Sequence, residues 1–242
     1  MDSAGAPALH ENEPHQNDVA QRLNWLRAGV LGANDGIVSV AAIVVGVAGV
    51  TTQSGPILVA GTAGLVGGAV SMALGEYVSV SSQKDSQRAL IEKERLELQE
   101  QPEEELEELA AIYQGKGLSL DTARAVAREL TAHDALGAHL SAELNIDETD
   151  IVSPWHAAIA SAFAFLIGAI LPMLAILLPP ENIRVPLTFV AVLVALAATG
   201  ALGAWIGGGS KLRAAARVVV GGALALAATF SIGNLLGASG VL

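Results

Sequence analysis

A single aspartate interrupts an apolar stretch early in the 242-residue chain, within Gly32-Ala33-Asn34-Asp35-Gly36. A carboxylate at the centre of a membrane-length apolar run costs about 2.5–3.5 kcal/mol to insert, so a residue kept there faces a polar cavity, a partner or an ion. The flanking glycines let a second backbone or an ion approach closely. The bland alternative is a hydrated carboxylate near a membrane surface, because Arg27 is only about two turns away. A second such acid, Glu76, follows Ala60, Gly64, Gly68 and Met72 at i+4 spacing, along one slowly drifting helical face. Small residues on that face permit close helix packing in lipid. Met72 sets a soft thioether one turn before the hard carboxylate of Glu76, a pair better suited to a first-row divalent metal than to Mg²⁺ or Ca²⁺. A lone methionine in such a run is ordinarily packing, and its interest comes from the company of Glu76 and Asp35.

A different constellation lies further on. Glu92, Glu94, Glu97, Glu100, Glu103, Glu104, Glu105, Glu107 and Glu108 crowd one short stretch. Glu94/Glu97, Glu97/Glu100 and Glu105/Glu108 are i,i+3 pairs and Glu104/Glu108 is i,i+4, so like charges share helical faces and repel by a few tenths of a kcal/mol per pair. A bound cation relieves that repulsion. Glu143 can close such a cage, with His139 one turn before it on the same face. The competing account is a solvated acidic surface partly neutralised by Lys93 and Arg95, the commoner fate of an isolated Glu-rich helix. Carboxylates with one imidazole accept Fe²⁺, Mn²⁺ or Zn²⁺, and these residue types do not choose among them. His133, beside Asp134, reads as a surface residue. His10 and His15 fall in the N-terminal tail, and His156 opens an apolar run in an interfacial packing position. Asn234, inside the last apolar run, is expected to hydrogen-bond between helices.

The elements that hold these residues follow from composition. The chain is 52% hydrophobic and 15% charged, with a formal net charge of −11 and a mean hydropathy of +0.51, whereas soluble domains carry about 25% charged residues. Acidity and greasiness are separated along the chain. Asp85 to Asp150 holds seventeen of the 24 acidic residues and six basic ones, so this stretch alone accounts for the −11. That pattern excludes a single mixed domain and a nucleic-acid binder working through a basic surface. The absence of cysteine removes disulfides, thiolate metal sites and cysteine nucleophiles. No nucleophile motif, Walker-type loop or dinucleotide fingerprint is present, so the chain does not read as an enzyme or as a pump with its own ATP site.

Five apolar runs are long enough to cross a bilayer: Ala28 to Val50, Ile57 to about Ser81, Trp155 to Leu178, Val185 to Ile206, and about Val218 to the end. Pro172 lies inside the third, and Pro179 and Pro180 end it. Arg22 and Arg27 precede the first run, Lys84 and Arg88 follow the second, and Lys211, Arg213 and Arg217 separate the fourth from the fifth, while the alternate loops carry only Arg184. By the positive-inside rule the N-terminus and the acidic insert are cytoplasmic. Within the insert, Leu90 to Leu98 continues the second helix without a break. Pro102, Glu103, Glu104 and Glu105 open another at positions the first turn and the dipole favour, and Gly115 and Gly117 end it. Ser119 and Thr122 begin a third, running amphipathically to about Leu144. The expected architecture is all-α: a five-span helical membrane protein with a cytosolic three-helix acidic domain between spans 2 and 3. Its expected divisions are a disordered tail (1–20), spans 1 and 2 (21–83), the acidic domain (84–150) and spans 3 to 5 (151–242).

Two blocks make the pattern specific: Gly32-Ala33-Asn34-Asp35-Gly36-Ile37-Val38-Ser39, and Ser71-Met72-Ala73-Leu74-Gly75-Glu76-Tyr77-Val78-Ser79-Val80-Ser81-Ser82-Gln83. With the Glu-rich insert they resemble the vacuolar iron transporter family over all but the N-terminal tail. The resemblance implies a homodimer in the lipid bilayer that moves Fe²⁺, and often Mn²⁺, out of the cytosol in exchange for protons. No cofactor is implied beyond the ion carried. It places Asp35 and Met72 in the translocation path between the subunits and Glu76 near its cytoplasmic mouth. It makes Glu94, Glu97, Glu105, Glu108 and Glu143 metal-binding glutamates, with His139 where relatives can have methionine. The word "vacuolar" does not transfer, and for a prokaryotic chain the expected location is the cell membrane. The rival expectation is a membrane-anchored metal buffer or sensor that binds on the insert without transport.

Overall fold

The computed structural model describes residues 16–146 and 153–239, with side chains from residue 29 onward. The regular elements among them are all helical: α1 (Gln16–Val50), α2 (Ser54–Glu100), α3 (Pro102–Gly115), α4 (Leu120–His139), α5 (Pro154–Leu177), α6 (Arg184–Ile206) and α7 (Lys211–Ala238), with a π-helical turn at Leu140–Leu144. Five of them, α1, α2, α5, α6 and α7, are long and apolar enough to span a membrane. Most of the expected tail lies outside the described residues, and the backbone is already helical at Gln16. The final helix starts at Lys211, ahead of the apolar run, because the turn at Gly208 (φ 70°) ends one helix and the Ala- and Arg-rich stretch after it favours starting the next.

The chain forms two compact units. One comprises residues up to Gly75 together with those from Ala158 onward, and the other runs from Glu76 to Ala157. In the first, α1 is the central helix. Its Val40, Ala41, Val44 and Val45 are fully buried and join Phe165, Ile176, Val192, Leu196 and Leu226 in one apolar core. In lipid the solvent is as apolar as the side chains, so helix association relies on close contact rather than on hydrophobic exclusion. Glycine supplies that contact here. A methyl group added at Gly36 would strike the Phe165 carbonyl, one at Gly168 the Ala33 carbonyl, and one at Gly233 the Gly46 carbonyl. Gly64 of α2 sits against Ile43, and Gly68 against the Phe165 ring, so this pair packs helices, as the bland reading of the i+4 series has it.

Four polar residues take places that hydropathy does not assign. Arg184 is buried and donates to the Thr52 carbonyl (3.1 Å) and the Ser54 hydroxyl (3.2 Å), tying the α1–α2 turn to the start of α6. Thr199 of α6 donates to Asn34 Oδ1 of α1. Asn234, expected to bridge helices, is instead exposed, because its neighbour Gly233 occupies the α1-facing side of α7. His156 is likewise exposed.

In the second unit, α3 and α4 pack through Leu109, Ala110 and Ala127, with Leu106, Tyr113 and Leu130 alongside. Arg124 clasps Glu107 through Nε (3.0 Å) and Nη2 (2.8 Å). The α3 start at Pro102 and the Ser119 cap of α4, which accepts the Thr122 N–H, fall where the sequence places them. The expected unbroken helix to Leu144 does not form. Asp134 leaves helical geometry at φ −158°, ψ 91°, and its carboxylate accepts the Gly137 N–H at 3.0 Å, starting a fresh turn. Tyr77 and Trp155 pack with ring centroids 4.8 Å apart and planes tilted by 53°.

The Gly36 contact is testable in purified, detergent-solubilised protein. Gly36→Ala overpacks the α1–α5 crossing and is expected to cost about 1–3 kcal/mol. Gly221→Ala, which meets no atom within 4 Å, is expected to hold or raise the thermal midpoint, since alanine is the better helix former. Equal stability of Gly36→Ala and wild type would mean that α1 and α5 are not in backbone contact.

Candidate metal centre

Residues from three helices converge in the second unit. Glu94 lies in the C-terminal part of α2, beyond its apolar run; Glu105 sits in the first turn of α3; His139 is the last residue of α4. Each offers one ligand atom, and these atoms lie within 4.8 Å of one another. All three are buried: Glu94 is 4% exposed, Glu105 6% and His139 0%. His139 Nδ1 stands 2.9 Å from Glu94 Oε1, 3.5 Å from Glu105 Oε2 and 3.9 Å from Glu143 Oε2.

Proximity here is not hydrogen bonding. Glu94 Oε1 and both His139 ring nitrogens are buried and lack a hydrogen-bond partner, because the close atoms do not meet in hydrogen-bond geometry. Leaving a buried polar group unsatisfied costs about 1–3 kcal/mol, and more for a charged one. Buried ligand atoms gathered within 4.8 Å of one another, several of them without a hydrogen-bond partner, are a setting that a cation satisfies. Two hard carboxylate oxygens and one borderline imidazole suit a first-row divalent ion.

The electrostatics agree. Burial pushes the Glu94 carboxyl up to about 7, helped by the negative charges of Glu143, Glu105, Glu97 and Glu108. Burial, with Glu108, Glu97 and Glu143 behind it, also raises Glu105. Burial lowers His139 despite the opposing pull of Glu143 and Glu108, so the ring is held neutral with a lone pair available. The metal-free cluster therefore retains a proton near neutrality, and a divalent ion must displace it.

Of the sequence-derived glutamates, Glu94 and Glu105 meet His139, and Glu143 borders the group at 3.9 Å. Glu97 is held by Lys93 at 2.8 Å and Glu108 is exposed, so both act on the group through charge. In the other unit Asp35 is half-buried, and Ser39, one turn later, donates its hydroxyl to Asp35 Oδ1 at 2.6 Å. Met72 packs partly buried against the apolar core, whereas Glu76, the first residue of the acidic unit, is half-buried. Sequence reasoning passed over Ser39 and Asn34. Their signal was spacing: Ser39 falls at i+4 from Asp35, and Asn34 precedes it directly.

The class is thus an all-helical membrane protein with five helices long and apolar enough to span and a buried carboxylate–imidazole group. Within that class the chain belongs to the VIT family, whose model matches residues 26–234. It is 44% identical over 236 residues to a vacuolar iron transporter of Acanthamoeba castellanii, covering 95% of this chain and 84% of that protein. It is 36% identical over 244 residues to vacuolar iron transporter homolog 2 of Arabidopsis thaliana, covering the full length of both. Vacuolar iron transporter homolog 5 of Oryza sativa is 36% identical over 225 residues, covering 93% of this chain and 86% of that protein. The family is one of transporters rather than enzymes.

The raised Glu94 value sets a pH signature. Between pH 6 and 7 the apparent affinity for Mn²⁺ or Zn²⁺ should rise about fivefold, with close to one proton released per ion at pH 6, and both trends should flatten above pH 8. In the metal-free protein the raised carboxyl contributes stability that is full below pH 4.5 and lost as pH rises through about 7. His139, lowered, opposes that trend only below pH 6.5. Calorimetric titration in buffers of differing ionisation enthalpy reads the proton directly, and pH-independent binding without proton release would contradict this description.

Proposed function

We propose that the protein is a proton-coupled divalent-metal transporter that carries Fe²⁺ or Mn²⁺ out of the cytosol. The observation that carries this reading is the buried Glu94–Glu105–His139 group, in a chain whose relatives are named iron transporters. The acidic unit collects the ion on the cytosolic side, and its net negative charge raises the local cation concentration. Glu97, Glu108 and Glu143 surround the buried ligands and add to that field.

From there the ion passes along α1 and α2 of a homodimer, through Glu76, Met72 and Asp35. An intramembrane carboxylate is a functional-site hypothesis by default, and the Ser39 hydroxyl fixes one oxygen of Asp35. Orientation rests on the Lys and Arg bias, which puts the N-terminus and the acidic unit in the cytosol. With no ATP motif in the chain, uphill movement draws on a proton gradient, and titratable Asp35 and Glu76 are the groups to carry it. The ion is cargo, with Zn²⁺ a further candidate for the buried group, and no resident cofactor is required.

A second reading has a specific observation in its favour: the gathered ligand group comes from sequence beyond the apolar run of α2. A membrane-anchored metal buffer or sensor would need nothing more. Proteoliposomes with an acidic interior separate the two. For a transporter, Asp35→Ala or Met72→Ala lowers Fe²⁺ uptake toward that of protein-free vesicles while binding to the acidic unit persists. Glu94→Gln with Glu105→Gln raises the half-saturating concentration about tenfold or more, the scale on which losses around a metal site act. Wild-type uptake no greater than in empty vesicles favours the buffer, and uptake indifferent to the pH gradient removes the coupling.

A further inference from the structure

The residues that bring His139 and Glu143 to the site form a short helix with its own start and stop. α4 buries Ala123 and Ala127. At 3.6 residues per turn, an uninterrupted helix would carry His139 about 120° around the axis from Ala127. Yet His139 is fully buried. The helix breaks between the two, at Asp134, which leaves helical geometry (φ −158°, ψ 91°) so that the residues after it start a fresh turn.

Asp134 also caps the new turn. Its Oδ1 accepts the Gly137 N–H at 3.0 Å, three residues on, as an N-cap side chain does. Gly137 is matched to this cap, because a methyl group there would collide with Asp134 Oδ2. At the far end the chain widens into the π-turn Leu140–Leu144, a local form frequently found at functional sites. Asn145, at φ 51°, closes it, and the Ile146 N–H returns to the Leu140 carbonyl at 2.9 Å. Between the two stops lie His139 and Glu143.

We propose that Asp134, working with Gly137, is a positioning residue for metal binding: its cap starts and holds the turn that brings His139 and Glu143 to Glu94 and Glu105. This rests on the reading of Glu94, Glu105 and His139 as a metal-binding group. Asp134 itself coordinates nothing. Its effect is on the fraction of molecules in which the ligand-bearing turn is formed, and that fraction scales the apparent affinity.

The test uses the full chain in detergent and Co²⁺ as an optical probe, with affinity and visible absorption spectrum as readouts. Asp134→Ala should weaken Co²⁺ binding about fivefold, the scale of a lost N-cap, and alter the spectrum. Asp134→Asn, which keeps an acceptor oxygen, should restore both to within about twofold, since asparagine caps as well as aspartate. Gly137→Ala adds a better helix former, so a structural role alone predicts equal or tighter binding. Displacement of the cap predicts weaker binding, and it covers the case in which Asp134→Ala fails to fold. Wild-type affinity and spectrum in Asp134→Ala, or in Gly137→Ala, would overturn the positioning role while leaving the metal group intact. Co²⁺ binding in the parent protein that is unchanged by His139→Ala would instead overturn the metal group, and the positioning role with it.

Discussion

Buried negative charge without a protein counter-ion among the described residues is the constraint on which the acidic unit depends. Glu94 and Glu105 are removed from water beside a neutral imidazole, and Lys93, one residue before Glu94, is engaged by Glu97 at the surface. A protein has two ways of holding such a group: keep a proton on it, or admit a cation. The raised Glu94 carboxyl is the first state, and the gathered ligand atoms without hydrogen-bond partners suit the second. The surroundings serve this need. Pro102 and the acid-rich first turn of α3 present Glu105, Ser119 starts α4 at the right point, and Arg124 with Glu107 fastens α3 to α4 away from the ligands.

The membrane unit obeys a different constraint, that of packing helices in a solvent as apolar as they are. Its answer is backbone contact through glycine around α1, the helix that also carries Asp35, Asn34 and Ser39. Several polar groups in this unit are tied: Ser39 to Asp35, Thr199 to Asn34, Arg184 to the α1–α2 turn. The same helix therefore provides both the centre of the core and its span-embedded aspartate.

Much of this was legible in the sequence because hydropathy and helix punctuation are local signals. Five spans, the α3 start at Pro102 and the Ser119 cap follow from runs, prolines and capping residues. Glu94, Glu105 and His139 stood out as candidates by residue type, but spacing along one helix could not separate them from Glu97 and Glu108, whose fate depends on which face packs against another helix. The break at Asp134 was missed because a His-Asp pair within an amphipathic pattern reads as surface, whereas its cap to the Gly137 N–H shows only in the folded chain. Asn234 failed for a related reason: a polar residue in a span implies a partner, but not which side of the helix faces the protein. Arg184 was counted as a loop charge, and its long-range tie to Thr52 and Ser54 leaves no local trace.

X-ray absorption on the Zn²⁺- or Fe²⁺-loaded protein tests the central claim most directly, because it reports ligand type without presuming transport. The account predicts oxygen and nitrogen neighbours at about 2.0–2.2 Å, with the outer-shell scattering of one imidazole that disappears in His139→Ala. A spectrum with oxygen neighbours alone, unchanged by His139→Ala, would contradict it and return the insert to a solvated acidic surface.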